Sequence, residues 1–303
     1  MKDEFIWANL VHLSENISTS DHFCDPLSCE DAAWRELTDR MVKQGLNMIV
    51  IDLLDGVRYE SHPEIAVKGA WSVEKLRKEL AHLRSVGLEP IPKLNFSACH
   101  DIWLGKYAGM VSTDKYYRVC EDLIREVGEI FDTPRFFHIG FDEEDVTCQE
   151  DDEIMIVRQG ELWWHDLFHL VGTVEKAGMR AWMWSDHVWD HPDRFYERMP
   201  KSVVQSNWYY DEGLTPLAFR WPRIKVYLDL DKYGFDQIPT ASNFVYDRNM
   251  QETVDFCDAK LSKAHLKGYL ATSWRTTTAK NRALNFSVVD SMAECIRAKG
   301  KRS

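Results

Sequence analysis

The stretch Gln44-Gly45-Leu46-Asn47-Met48-Ile49-Val50-Ile51-Asp52 decides the fold. An amphipathic helix runs into Gly45, an apolar residue follows, and a short apolar strand begins. Glycine at such a helix stop takes the left-handed conformation without the steric penalty a Cβ carries. The unit recurs: Val86-Gly87-Leu88 leads into residues 90–95, Ala177-Gly178-Met179 into 181–184, and Tyr233-Gly234-Phe235 into 237–241. Repetition of helix, glycine stop and apolar strand predicts a mostly parallel sheet covered by helices.

Working outward, eight strands are expected, at residues 5–10, 48–52, 90–95, 136–140, 181–184, 203–207, 237–242 and 268–273. Helices lie between them, for example at 73–86, 115–131, 161–177, 252–263 and 288–299. This is the inventory of a (β/α)8 TIM barrel, an α/β fold that typically takes about 250 residues. No Gly/Ser/Pro-rich linker or charge break divides residues 1–303, so one catalytic barrel domain is expected. Val226-Tyr227-Leu228 is assigned to the sixth helix, because Lys232-Tyr233-Gly234-Phe235 then repeats the stop. A doubly wound open sheet is the alternative, but no Gly-rich phosphate turn follows the first strand. Residues 53–70 and 141–160 are expected as long loops at the C-terminal rim, where barrels assemble their chemistry.

Hydrophobic residues at 45% and charged residues at 28% supply a large core and no disorder signature. Lys and Arg number 37 against 49 Asp and Glu, a net charge of −12. That balance disfavours nucleic acid or an anionic membrane as partner. No run approaches the ~18 apolar residues of a membrane span. Met1-Lys2-Asp3-Glu4 lacks the apolar run of a secretory leader. Seven scattered cysteines without a C-x-x-C pair argue against a disulfide framework or a structural zinc, and for a reducing cytoplasm. Twelve tryptophans imply flat apolar faces in a pocket, for which the C–H faces of a sugar ring are a natural guest.

Function is read from residues just past each strand. After the fourth comes Phe136-Phe137-His138-Ile139-Gly140-Phe141-Asp142-Glu143-Glu144. Alternation turns Phe137 and Ile139 toward the helices and His138, Gly140 and Asp142 toward the axis. Gly140 leaves room for a close approach at the rim. Glu143 lies beyond the regular strand, so Asp142 and Glu143 can converge on one ligand. Neighbouring carboxylates split their ionisation, one keeping a proton while the other stays anionic. Glycosidic cleavage needs such a donor for the leaving oxygen. The bland alternative is a solvated acidic loop over 142–153. The fifth strand ends in Trp184-Ser185-Asp186-His187, the sixth in Asn207-Trp208-Tyr209-Tyr210 and the eighth in Ser273-Trp274-Arg275. The third supplies Asn95 and, a little later, His100-Asp101 and Trp103. Tryptophans closing three strands imply an aromatic wall around a ring-shaped substrate, or else the top layer of barrel packing.

His138-Ile139-Gly140-Phe141-Asp142-Glu143 resembles the H-x-G-G-D-E motif of the family-20 glycoside hydrolases, the β-N-acetylhexosaminidases, with Phe141 in place of the second glycine. Cys148 is similar to the cysteine often found shortly after that motif. Trp208 and Trp274 are similar to tryptophans lining the family's N-acetyl pocket. His100 is similar to the histidine of its D-x-P-G-H segment, of which Asn95-Phe96-Ser97-Ala98-Cys99 keeps little else. The resemblance implies exo-acting hydrolysis of terminal β-linked 2-acetamido sugars by substrate-assisted retention, with no cofactor and no metal. It implies Glu143 as general acid and then base. Asp142 would accept the acetamido N–H and orient its carbonyl oxygen toward the anomeric carbon. Consistent with an internal nucleophile, the seventh strand ends Ser242-Asn243-Phe244 without a Glu. Tyr246 is a candidate partner for the acetamido oxygen, with Tyr209 and Tyr227 as alternatives. The family's first-strand Arg is missing from Leu10-Val11-His12-Leu13-Ser14-Glu15, which leaves Arg58 and Asp186 as candidates for the sugar hydroxyls. Asn95, His100, His138, Trp184, Trp208 and Trp274 complete the expected substrate-binding set.

A glycosidase for a non-acetamido sugar and a non-catalytic glycan-binding barrel remain alternatives. So does a metal-dependent barrel hydrolase or isomerase, on the pairs His165/His169 and His187/His191. His165-Asp166-Leu167-Phe168-His169 lacks the glutamate of H-E-x-x-H, however, and lies mid-helix. Cys99 beside His100 is the candidate for cysteine chemistry, against an inert buried thiol. The partner expected is a small carbohydrate, with the oligomeric state left open.

Overall fold

The computed structural model describes residues 4–17, 23–150, 155–218 and 220–300. Residues 1–3, read above for a leader, and 151–154, within the expected loop 141–160, lie outside the described residues.

Eight strands form one parallel sheet: Ile6–His12, Met48–Asp52, Glu89–Lys93, Phe136–His138, Arg180–Trp184, Val204–Ser206, Thr240–Ser242 and Gly268–Thr276. They are hydrogen-bonded in chain order, and the first pairs with the eighth. The ring closes between the sixth and seventh through parallel bridges of Gln205 to Gln237 and Trp208 to Thr240. This is a single (β/α)8 barrel. Gly45, Gly87, Gly178 and Gly234 all stop helices at φ between +76° and +88°. Residues 226–228 lie inside the helix Trp221–Lys232, as expected. The seventh strand is shorter than its apolar run, since Pro239 has no N–H for the ladder; Gln237 bridges both neighbours just before it.

Alternation sorts the side chains. Ile6, Ala8, Leu10, Met48, Val50, Ile91, Phe136, Trp182, Val204, Ile238 and Leu270 fill the barrel interior. Phe137 and Ile139 belong instead to the larger core beneath the helices. Each fully buried side chain of this size contributes roughly 1.5–3 kcal/mol. The two cores make the strand walls rigid, which fixes where the strand ends point. Among the described residues no helix is long and apolar enough to cross a membrane.

Candidate active site

The fourth strand stops at His138, and the chain turns through Gly140 (φ +68°), Phe141 (φ +72°) and, after Asp142, Glu143 (φ +56°). Positive φ costs a non-glycine residue about 1–3 kcal/mol. Phe141 thus holds the backbone shape for which the similar motif uses glycine. Its ring offsets the cost: it is buried, 5.2 Å from Trp163, with the Arg158 guanidinium 4.2 Å above it. Arg158 is itself buried, paired with Glu144 and, at 3.2 Å, with Asp166, and it donates to the Phe96 carbonyl at 2.6 Å. A Cβ on Gly140 would fall 2.0 Å from Oδ1 and 2.8 Å from Cα of Asn95. The close approach expected there is therefore made by Asn95 and not by a ligand.

Asn95 and Ser97 pin the first carboxylate. Asn95 Nδ2 donates to Asp142 Oδ1 at 2.9 Å, and its own Oδ1 accepts the Phe141 and Ser97 N–H groups at 3.2 and 3.0 Å. Ser97 Oγ accepts the Asp142 N–H at 2.7 Å and reaches Asp142 Oδ1 at 2.9 Å. Asp142 Oδ2 faces His100 Nε2 at 3.5 Å, and the same nitrogen lies 3.2 Å from Glu143 Oε2. Burial alone would raise Asp142, but the charge and hydrogen bond of His100, with Lys93 and Asn95, hold it below the ordinary carboxylate range. It is an anion at neutral pH. Burial works against a proton on His100 as well, yet Cys99 and Asp142 beside it hold that proton well above the usual histidine range. The Cys99 thiol is pushed up to about 12 by burial. It is neutral near pH 7, so the Asp142 carboxylate retains the histidine proton, and thiolate chemistry has no support.

Asp186 sits behind this pair. Its Oδ2 accepts the Glu143 N–H at 2.7 Å, while Oδ1 is buried without a partner. Burial first, then the charges of Asp142 and Glu143, push it well above the carboxylate range. The carboxyl pushed up is therefore Asp186, while Asp142 is the one held down. His138 lies lower on the axis, 5.1 Å from Trp182 and 4.5 Å from Trp184. Burial and then Lys93 keep it neutral, and its Nδ1 accepts the Gly140 N–H at 3.1 Å. It supports the turn from below and does not line the cavity above.

That cavity, of about 560 Å³, opens at the C-terminal mouth of the barrel. Of the expected residues, Asn95, His100, Asp142, Glu143, Trp184, Trp208 and Trp274 line it. Trp184 and Trp274 lie 5.8 Å apart, and Trp208 stacks on Tyr210 at 5.2 Å. Trp184 is also fully buried, so it serves both as pocket wall and as the top of the barrel packing. Arg58 and Tyr246 are not brought there. Arg58 is exposed on a short ribbon, Val57–Arg58 with Trp71–Ser72, and the Tyr246 hydroxyl donates to Glu252 at 3.0 Å. Of the other tyrosines, Tyr209 lines the cavity and Tyr227 does not.

Sequence reasoning passed over several lining groups. The Tyr210 hydroxyl is buried with no hydrogen bond of normal geometry, beside the Trp274 indole N–H. On the floor, Lys93 Nζ donates to Asp52 Oδ2 at 2.8 Å and His12 Nδ1 lies 3.1 Å from the same oxygen. Burial opposes the Asp52 charge, but Lys93 and His12 hold it below the ordinary range. The histidine pairs do not line this cavity, though His187 and His191 line an adjoining recess. His165 and His169 flank the ring of Tyr117, with Asp166 and Glu121 as partners, and His187 stacks on Trp163 at 3.6 Å. Among the described residues the one group of three ligand-type side chains that could hold a metal ion is Cys99, His100 and Glu143, whose atoms lie within 4.8 Å of one another.

No known family profile matches the sequence, and no curated protein matches it. Solved structures do. The barrel is similar to those of family-20 β-N-acetylhexosaminidases. The Streptomyces plicatus N-acetyl-β-hexosaminidase superposes with a TM-score of 0.66 at 14% identity, over 96% of this chain and 64% of that one. For the Bacteroides fragilis β-N-acetylhexosaminidase the values are 0.68, 11%, 96% and 65%. For the Flavobacterium johnsoniae chitobiase they are 0.62, 18%, 98% and 51%. At such identities the likeness is one of fold, and the chain spans 51–65% of the length of these three proteins.

Proposed function

We propose that the chain is a glycoside hydrolase acting on terminal β-linked 2-acetamido sugars by substrate-assisted retention. The observation that carries this reading is the meeting of Asp142 and Glu143 on one His100 nitrogen, at 3.5 and 3.2 Å, inside a tryptophan-walled cavity. Trp184, Trp208 and Trp274 offer apolar faces to a sugar ring. Asp142, held anionic, accepts the acetamido N–H and orients the carbonyl oxygen onto the anomeric carbon. The Tyr210 hydroxyl has its proton to give to that oxygen, the role for which Tyr246 stands too far from the cleft. Glu143 donates its proton to the leaving oxygen as the carbon–oxygen bond breaks and a cyclic oxazolinium forms. It then takes a proton from the water that reopens the ring, so the configuration is retained.

The test is a panel of chromogenic glycosides. Turnover of 2-acetamido-2-deoxy-β-glycosides well above that of plain β-glucosides and β-galactosides is expected. Equal or greater turnover of the plain sugars overturns the acetamido assignment. Glycan binding without any turnover overturns the hydrolase assignment.

A further inference from the structure

Two arginines on the cavity wall lack a close counter-charge. Arg220 caps the helix Trp221–Lys232 and Arg223 lies in its first turn, where positive side chains work against the helix dipole. Arg220 reaches only Asp211, at 4.0 Å, and Arg223 enters no ion pair among the described residues. Both line the tryptophan-walled cavity, and both also line a recess that adjoins it and shares Glu143 and Trp208. Burial, and then the charge of Arg220, make the Arg223 guanidinium a weaker base than usual.

Arg223 is nevertheless held firmly. Asn207, buried at the end of the sixth strand, donates from Nδ2 to the Arg223 carbonyl at 2.9 Å. The Asn207 Oδ1 accepts the Trp189 indole N–H, also at 2.9 Å. The Arg223 guanidinium rests on that indole, 4.1 Å from its centroid. One amide thus fixes both the start of the helix and the ring under the cation. The acidic groups of the recess are mostly engaged elsewhere. Glu144 is bonded to Arg158, Asp186 accepts the Glu143 N–H at 2.7 Å, and Asp145 accepts the Cys148 N–H at 2.9 Å. Asp190 and Asp186 attract Arg223 without forming an ion pair.

We propose that the leaving-group side of the cleft binds an oxyanion carried by the aglycone, with Arg220 and Arg223 as its clamp. The placement rests on Glu143 being the acid: the group it protonates departs into the recess that Glu143 shares with the two arginines. Guanidinium forks match the paired oxygens of a carboxylate, sulfate ester or phosphate monoester. On a chain of net charge −12, a cationic wall in the cleft also draws such a group to the one place where it is useful.

The experiment uses β-thioglycosides of 2-acetamido-2-deoxyglucose, which resist cleavage, with aryl groups that are uncharged or carry a carboxylate, a sulfate or a phosphate. Calorimetry at low and high salt would compare the wild-type chain with Arg220→Gln, Arg223→Gln, the double variant and Arg223→Lys. At least tenfold tighter binding of the anionic compounds is expected from a pair of charge-assisted contacts, about 1.4 kcal/mol. The advantage shrinks with salt, falls within about twofold in the double variant, and is partly kept by Arg223→Lys, which retains charge without the fork. A preference shared by all three anions indicates a general oxyanion site, and a preference for one names the source. Equal affinity for charged and neutral compounds, an advantage that survives the double substitution, or no binding at all overturns the proposal. If the oxygen-linked counterparts are not hydrolysed while the arginine-dependent preference persists, the hydrolase reading fails and the anion site stands. If neutral glycosides are hydrolysed but the preference is missing, the anion site fails and the hydrolase reading stands.

Discussion

Replacing Asp142 with asparagine tests the proposed chemistry most directly. The amide oxygen can take the place of Oδ1 and keep the contacts from Asn95 and Ser97, at 2.9 Å each. The amide NH2 then takes the place of Oδ2, and it meets two other donors, the His100 N–H and the acetamido N–H. A hydrogen bond to a charged acceptor contributes about 1.5–3 kcal/mol. A unit charge facing the developing oxazolinium at about 4 Å adds about 4 kcal/mol at an effective dielectric of 20. The two contributions overlap, so a loss of about 4–6 kcal/mol is expected, on the order of 10³–10⁴ in kcat/KM. The assay is kcat/KM of Asp142→Asn on 4-nitrophenyl 2-acetamido-2-deoxy-β-glucoside, with thermal unfolding to confirm the fold. Fluorinated acetamides serve as a second probe, since a weaker internal nucleophile slows the wild-type enzyme. A fall smaller than about tenfold, or wild-type rates indifferent to fluorination, refutes the reasoning.

Four further outcomes are expected. Glu143→Gln should slow substrates with poor leaving groups by about 10²–10⁴ while largely sparing dinitrophenyl glycosides, which need no protonation; equal losses on both would remove Glu143 as the acid. A thiazoline that mimics the cyclised intermediate should bind far more tightly than the free product sugar, and similar inhibition constants for the two would contradict an oxazolinium. Gly140→Ala drives a Cβ to within 2.8 Å of the Asn95 Cα at a φ of +68° and should cost about 1–3 kcal/mol by denaturant titration; an unchanged midpoint would deny the close approach. Asp186→Asn should change stability in a pH-dependent way. Asp186 titrates well above the ordinary carboxylate range when folded, whereas the unfolded carboxyl loses its proton near pH 4. The wild-type chain therefore loses stability as pH rises from about 4 toward the folded-state value. The neutral amide feels no such loss, so its Tm relative to wild type should climb as pH rises above about 4, and a difference that stays constant as pH rises would count against a raised Asp186.

The barrel was legible because its signals are local. A helix stop needs a left-handed residue, and an interior strand needs apolar side chains on both faces, so Gly45-Leu46 and 48–52 could be read without knowing their neighbours. Strand ends were less so: the third was expected to reach residue 95 but its ladder stops at Lys93, since the partner strand decides where pairing ends. Asn95, Asp142, Trp184, Trp208 and Trp274 converge because a parallel barrel gathers all its C-terminal ends at one mouth. Asp52 and Lys93, the last residues of their strands, fall under the same rule and were readable on it. Arg58 and Tyr246 sit on connecting segments, whose paths alternation does not govern. Tyr210, two residues past Trp208, does reach the cleft. The contact of Arg158 with Glu144 depends on how a long loop folds back, and no periodic pattern encodes that.

The aromatic ring at position 141 has a consequence for how this protein can change. In a glycine-built turn the acid-bearing segment would be indifferent to the interior behind it. Here the backbone ahead of Asp142 and Glu143 leans on Phe141, which leans on Trp163 in the helix Glu161–Lys176. Repacking that helix should move the Asp142 and Glu143 carboxylates from outside the cleft. On the proposed chemistry, heat tolerance and turnover are thereby tied together in this quarter of the barrel, and variants selected for one should drift in the other.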